Sequence, residues 1–251
     1  MKNTEKLLKK ELGKKTLFII VLLLNFTCLY GQKEKCTFED VIKRTTEYTS
    51  YEKYNIILDM EDVLNEKKTG FYGFIGVNRK RLRITFTSIS KSKEHKKVYD
   101  VEGFSSVMNK NKRTFKGTFT LLSHYKFIES TFEGRTPLKK GEVEGFSTFS
   151  YTLEEDERLS ATGVFEGKML VLWYKAIDKQ PIYSNLFFYS DGERNYQFLG
   201  TWTSYKTKKN SVANWGQWRI PCSDDFDGGV GDFMPDPKYW KYGWEEFRYD
   251  E

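Results

Sequence analysis

Arg81-Leu82-Arg83-Ile84-Thr85-Phe86-Thr87 alternates without a break between polar and apolar residues. Successive side chains of a strand point to opposite faces, so Leu82, Ile84 and Phe86 share one face and Arg81, Arg83 and Thr85 the other. A helix would scatter the same three apolar residues around its circumference. The stretch therefore predicts a strand whose apolar face enters a core while its arginines and threonines meet water.

The same period recurs further along. Phe115-Lys116-Gly117-Thr118-Phe119-Thr120-Leu121 and Phe149-Ser150-Tyr151-Thr152-Leu153 alternate in the same way. Phe165, Gly167, Met169, Val171 and Trp173 mark one face of a longer strand, with Leu170, Leu172 and Tyr174 on the other. Apolar residues on both faces predict a strand covered on both sides. Polar, turn-rich stretches at 90–97, 108–113, 135–141, 154–157, 176–181 and 190–195 separate nine or ten such strands. Strands do not alternate with helices, which argues against a parallel sheet.

An apolar residue followed two positions later by glycine recurs at Phe71, Phe74, Val101, Phe115, Phe132, Val143, Phe165 and Phe198. Glycine inside a strand marks a bulge, a bend or a close backbone approach, and bends on successive strands curl a sheet onto itself. The expected fold is all-β: an antiparallel meander over 70–205 closing into a barrel or strongly curled sheet. A short N-terminal segment (37–66) precedes it and an aromatic-rich C-terminal lobe (206–251) follows. Thr37-x-x-Asp40 reads as a helix cap with Phe38, Val41 and Ile42 on one side. Residues 54–60 fit a helix or a strand equally. Arg81, Arg83, Lys116 and Thr152 interrupt the apolar outer band of an outer-membrane barrel, so a soluble barrel is expected.

Phe198-Leu199-Gly200-Thr201-Trp202 resembles the Gly-x-Trp signature of the lipocalin and fatty-acid-binding superfamily. The whole is similar to lipocalin-like and avidin-like meanders, which implies a barrel with Trp202 plugging one end. In that superfamily the motif lies on the first strand, whereas here 49 residues follow Trp202. No ligand residue carries over.

The chain's first 31 residues read as a secretory signal peptide. Six lysines and two glutamates precede fifteen mostly apolar residues, Thr16 to Tyr30, and cleavage is expected at Gly31. The apolar run is short of the roughly 20 residues a spanning helix needs, so no transmembrane domain is expected after cleavage. Asn25-Phe26-Thr27 before Cys28 departs from a lipobox. The leader carries +4 of the chain's +6 and leaves +2 for residues 32–251, a single domain. So balanced a charge argues against a nucleic-acid partner. Export predicts a periplasmic, cell-surface or extracellular protein. Cys36 and Cys222 are then either one disulfide or two thiols.

The C-terminal lobe holds Trp215, Trp218, Trp240 and Trp244. With Trp202 they are candidate ligand-binding residues for a glycan or an apolar molecule, or else packing at a barrel end. Asp224, Asp225, Asp227 and Asp232 lie on a glycine-rich loop. They are either an acidic turn or a calcium site, with Met234 where the twelfth-position glutamate of an EF-hand would stand. No other cofactor is indicated. His95 and His124 have no metal-ligand spacing, and no nucleophile elbow, P-loop or dinucleotide fingerprint is present. The leading expectation is a non-enzymatic binding or interaction protein for a glycan, an apolar small molecule or an envelope protein. One alternative is a glycan hydrolase drawing two carboxylates from residues such as Glu142, Glu144, Glu154 and Asp156. The other is a purely structural envelope protein. A solidly packed interior favours the structural reading, an apolar cavity the binding one, and two facing carboxylates the enzyme.

Overall fold

A computed structural model describes residues 36–47, 49–130, 138–184 and 194–248. The expected leader lies outside them. The fold below is that of the unit Thr37–Glu251.

The described strands are β1 (Thr49–Tyr54), β2 (Tyr72–Ile75), β3 (Lys80–Lys91), β4 (Val98–Val107), β5 (Lys110–Ser130), β6 (Val143–Glu155), β7 (Gly163–Lys175), β8 (Ile182–Tyr183), β9 (Asn195–Ser204) and β10 (Asn210–Gln217). Among the described residues two α-helices, α1 (Phe38–Thr45) and α2 (Glu61–Glu66), accompany them. All pairings are antiparallel. The order β2-β3-β4-β5-β6-β7-β9-β10 returns to β2 and so forms a closed hydrogen-bonded ring, the expected meander. The far half of β5 carries β1, and β8 pairs with the end of β7. Some turns are tighter than the sequence suggests. Met108 and Asn109, both with positive φ, make a two-residue hairpin between Val107 and Lys110, so β5 occupies most of the stretch expected as a loop. At Gly117 a side chain would run into the Thr152 carbonyl across the β5–β6 pair, which is why that strand carries glycine.

Period two decides the interior. Leu82, Ile84 and Phe86 are buried within it, with Phe119, Phe149, Tyr151, Phe165 and Phe198 from the neighbouring strands. Phe86 meets Phe115 and Phe119 edge-on at 6.0 and 5.6 Å, and Phe198 stacks on Trp215 at 4.7 Å. The middle of the ring is thus filled with aromatic rings.

One end is sealed. Residues 55–60 are neither helix nor strand, and together with α2 they bring Leu58, Met60, Val63 and Leu64 into the core. Their backbone is tied down by Tyr99 Oη, which accepts from Met60 N at 2.9 Å, and by His124 Nε2, which accepts from Leu58 N at 3.2 Å.

Two layers cover the outside. Thr37 and Asp40 form a capping box at the start of α1, and Ile42 packs with Phe127, Phe146, Leu170 and Leu172. This accounts for the second apolar face of β7. The C-terminal lobe packs Phe226, Phe233 and Trp244 around Phe74, which points outward from β2. The lobe also corrects one expectation. Arg81 faces away from the ring's interior, yet its side chain is only 2% exposed, because the lobe lies over it. Its guanidinium sits 4.5 Å from the Trp244 ring centre and pairs with Glu246 at 2.6 Å.

Candidate functional site: the open mouth of the ring

Opposite the sealed end, β2, β4, β6 and β9 finish and β3, β5, β7 and β10 begin. A cavity of about 620 Å³ lies there, with Phe165 at its base and Ile75, Val107 and Trp202 among its walls. The strands place these side chains by parity. Glu155 follows Phe149, Tyr151 and Leu153 on the inward face of β6. Arg113 precedes Phe115 on β5, and Ser105 follows Val101 and Gly103 on β4. Register then brings them together, since Ser105 lies opposite Arg113 and Phe115 opposite Glu155.

Glu155 is buried, at 5% exposure. Ser105 Oγ donates to its Oε1, while Oε2 accepts from Gly163 N at 2.9 Å and Trp202 Nε1 at 3.0 Å. Burial raises the carboxyl's pKa. The three donors and the charge of Arg113 pull it partly back. Arg113 is fixed in turn, its Nε donating to the Ser160 carbonyl at 3.0 Å. Two further cations, Lys80 and Lys110, border the cavity on exposed strand ends.

Glu155, Ser105 and Arg113 were not among the residues singled out from the sequence. Residues 154–157 read as a loop because of their charge, although the alternation that ends at Leu153 continues one step to Glu155. A carboxylate on the inward parity of a strand was the available signal.

The five tryptophans do not converge on one site. Trp202 lines the mouth, and Trp215 is fully buried in the ring's middle. Trp218 is 42% exposed. Trp240 donates from Nε1 to the Pro235 carbonyl, and Trp244, fully buried, donates to that of Arg79.

The four loop aspartates also separate. Asp227 pairs with Arg219 at 2.6 Å, Asp225 with Lys238 at 2.8 Å, and Asp224 lies 3.6 Å from Arg79. Asp232 is exposed. Among the described residues no group of three or more His, Cys, Asp or Glu side chains is arranged to hold a metal. Cys36 and Cys222 are both disulfide-bonded.

Of the carboxylates considered for hydrolysis, Glu142 accepts from Lys139 N at the far end of β6, and Asp156 is held by Arg158. Glu154 lies on the outward parity of β6. None of them lines the mouth, where Glu155 is the one acidic residue among the described residues. His124 lies 2.6 Å from Ser147 Oγ through Nδ1. Its Nε2 already accepts from Leu58 N, so Nδ1 carries the proton and donates to Ser147. A ring in that tautomer cannot take the serine's proton through Nδ1. The pair is a structural lock.

Among the described residues no helix is long and apolar enough to cross a membrane. No protein family, characterised protein or solved structure matches this chain.

Proposed function

We propose that this chain is an exported, non-enzymatic binding protein that takes a small molecule into the open mouth of its strand ring. The observation that carries the reading is the mouth cavity. It has an aromatic base and partly apolar walls, and its carboxylate is held by three protein donors. Apolar clefts with a few fixed polar groups are the usual form of small-molecule sites. A glycan hydrolase would need a second carboxylate across the cleft, and the lining offers none. Disulfide-bonded Cys36 and Cys222 agree with an oxidising compartment, and so with export. The likeness to lipocalin-like barrels stays part of the proposal in a limited sense. The ligand would occupy the mouth, because the middle of this ring is filled.

Thermal-shift screening of small aromatic and aliphatic molecules, on the wild type and on Val107→Trp, tests the reading. Compounds that stabilise the wild type and fail with the filled mouth support it. If every compound acts alike on both proteins, or none acts at all, the mouth is not a binding site.

A further inference from the structure

The mouth is unevenly charged, and this deepens the proposal just made, on which it rests. Lys80, Lys110 and Arg113 border the cavity against the single carboxylate of Glu155. Arg113 borders the same cavity as Glu155 and its charge acts on that carboxyl, which balances one charge with another. The two lysines are left over. Among the described residues neither has an ion-pair partner. Elsewhere on the sheet lysines meet carboxylates across strands, Lys116 with Glu102 at 2.6 Å and Lys126 with Glu52 at 2.7 Å.

The lysines come from neighbouring hairpins. Lys80 stands opposite Ile75 where β2 turns into β3, and Lys110 opposite Val107 where β4 turns into β5. Each ammonium therefore sits at the rim beside an apolar wall residue. A cationic ligand gains little from Glu155, which is 5% exposed and whose two oxygens already take three hydrogen bonds from the protein. It would also meet two uncompensated positive charges on entry. An anionic ligand meets the reverse: an apolar interior for its body and two ammonium groups where its head emerges.

We infer that the mouth selects small amphipathic anions, an apolar body bearing one acidic head group, over neutral and cationic molecules of the same shape. The body lies against Phe165, Trp202, Ile75 and Val107, and the head lies between Lys80 and Lys110.

The test is a calorimetric titration with three naphthalenes of one shape: 2-naphthoate, 2-naphthalenemethanol and 2-naphthylmethylammonium. Naphthoate should bind about tenfold more tightly than the alcohol at low salt, and the ammonium more weakly than either. Raising the salt to about 0.5 M should shrink the gap, since exposed charges are screened. Both lysines are exposed, so the double variant Lys80→Gln/Lys110→Gln should fold normally. It should bring naphthoate to the alcohol's affinity and leave the alcohol within about twofold of wild type. An alcohol or ammonium binding as tightly as naphthoate at low salt overturns the charge inference alone. So does a double variant with unchanged naphthoate affinity. If none of the three binds, or binding survives Val107→Trp, the mouth itself is not the site and both readings fall.

Discussion

The guanidinium of Arg219 lies inside the loop that Asp227 anchors. Nη1 is 2.6 Å from Asp227 Oδ2 and donates to the Gly229 carbonyl at 3.1 Å, while Nη2 donates to the carbonyls of Val230 and Gly231. Asp227 Oδ1 accepts from the backbone of Gly229 and Met234, both at 3.2 Å. A fixed side-chain cation thus receives the oxygens that a calcium ion would need.

Calcium at several millimolar should therefore leave the melting temperature of the wild type unchanged. Arg219→Ala should cost about 2–3 kcal/mol in denaturant unfolding, because the Asp227 side chain is only 6% exposed and would lose its counter-charge. A calcium-dependent rise in the wild type's melting temperature would contradict this account of the loop.

At the mouth, Glu155 distinguishes two substitutions of similar size. Glu155→Gln can turn its amide so that the oxygen accepts from Gly163 N and Trp202 Nε1 while the nitrogen donates to Ser105 Oγ. It also removes a carboxylate whose pKa burial has raised, a group that favours the folded state less as it ionises with rising pH. Its stability at pH 7 should lie within about 1 kcal/mol of wild type. Glu155→Leu leaves three donors unanswered and should cost roughly 2–4 kcal/mol. Urea denaturation of the two variants checks this, and equal losses would show that the hydrogen bonds do not matter.

Along β3 the costs should follow the observed burial rather than polarity alone. Phe86, 2% exposed and enclosed by aromatic rings, should lose about 3–5 kcal/mol on replacement by Ala. Arg81, stacked on Trp244 beneath the lobe, should lose roughly 2 kcal/mol through packing. Arg83 has a side chain 43% exposed and should lose about 0.5 kcal/mol or less. Chemical denaturation of the three alanine variants gives the order. An Arg81→Ala as mild as Arg83→Ala would mean that the lobe does not hold the guanidinium.

That contrast marks what the sequence could disclose. Strand parity is local, so Leu82, Ile84 and Phe86 were legible as inward residues, and the Thr37–Asp40 cap was legible for the same reason. The cover over Arg81 was not, since Trp244 and Glu246 lie some 160 residues further along the chain. Nor could periodicity place residues 55–60, whose irregular path is fixed by the end of the ring they close. The C-terminal aromatics announced themselves in composition. Their partner, the outward ring of Phe74, depends on a β2–β10 pairing that no local pattern encodes. The mouth was half legible. Its inward parity could be read, but the meeting of Ser105, Arg113 and Glu155 depends on the register of three strands.

The seal at the ring's far end should respond to acid through His124. The residue is 4% exposed, and its ring lies edge-on to Trp173 at 6.4 Å. Burial, aided by the charge of Lys97, lowers its pKa to about 4. In an unfolded chain it would titrate near 6.5. Between those values the unfolded state binds a proton that the folded state refuses. The stabilisation is thus complete above pH 6.5 and is lost as the pH falls towards 4. Over that window it amounts to roughly 3 kcal/mol. Protonated Nε2 would also point an N–H at the N–H of Leu58 and release the segment that seals the ring. Urea unfolding from pH 7 to pH 4.5 should therefore show a steeper loss for the wild type than for His124→Gln, which cannot titrate. Carboxylates common to both proteins cancel in that difference. Parallel curves would mean that His124 takes its proton within the folded protein as readily as outside it, and that the bond to Leu58 does not govern the seal.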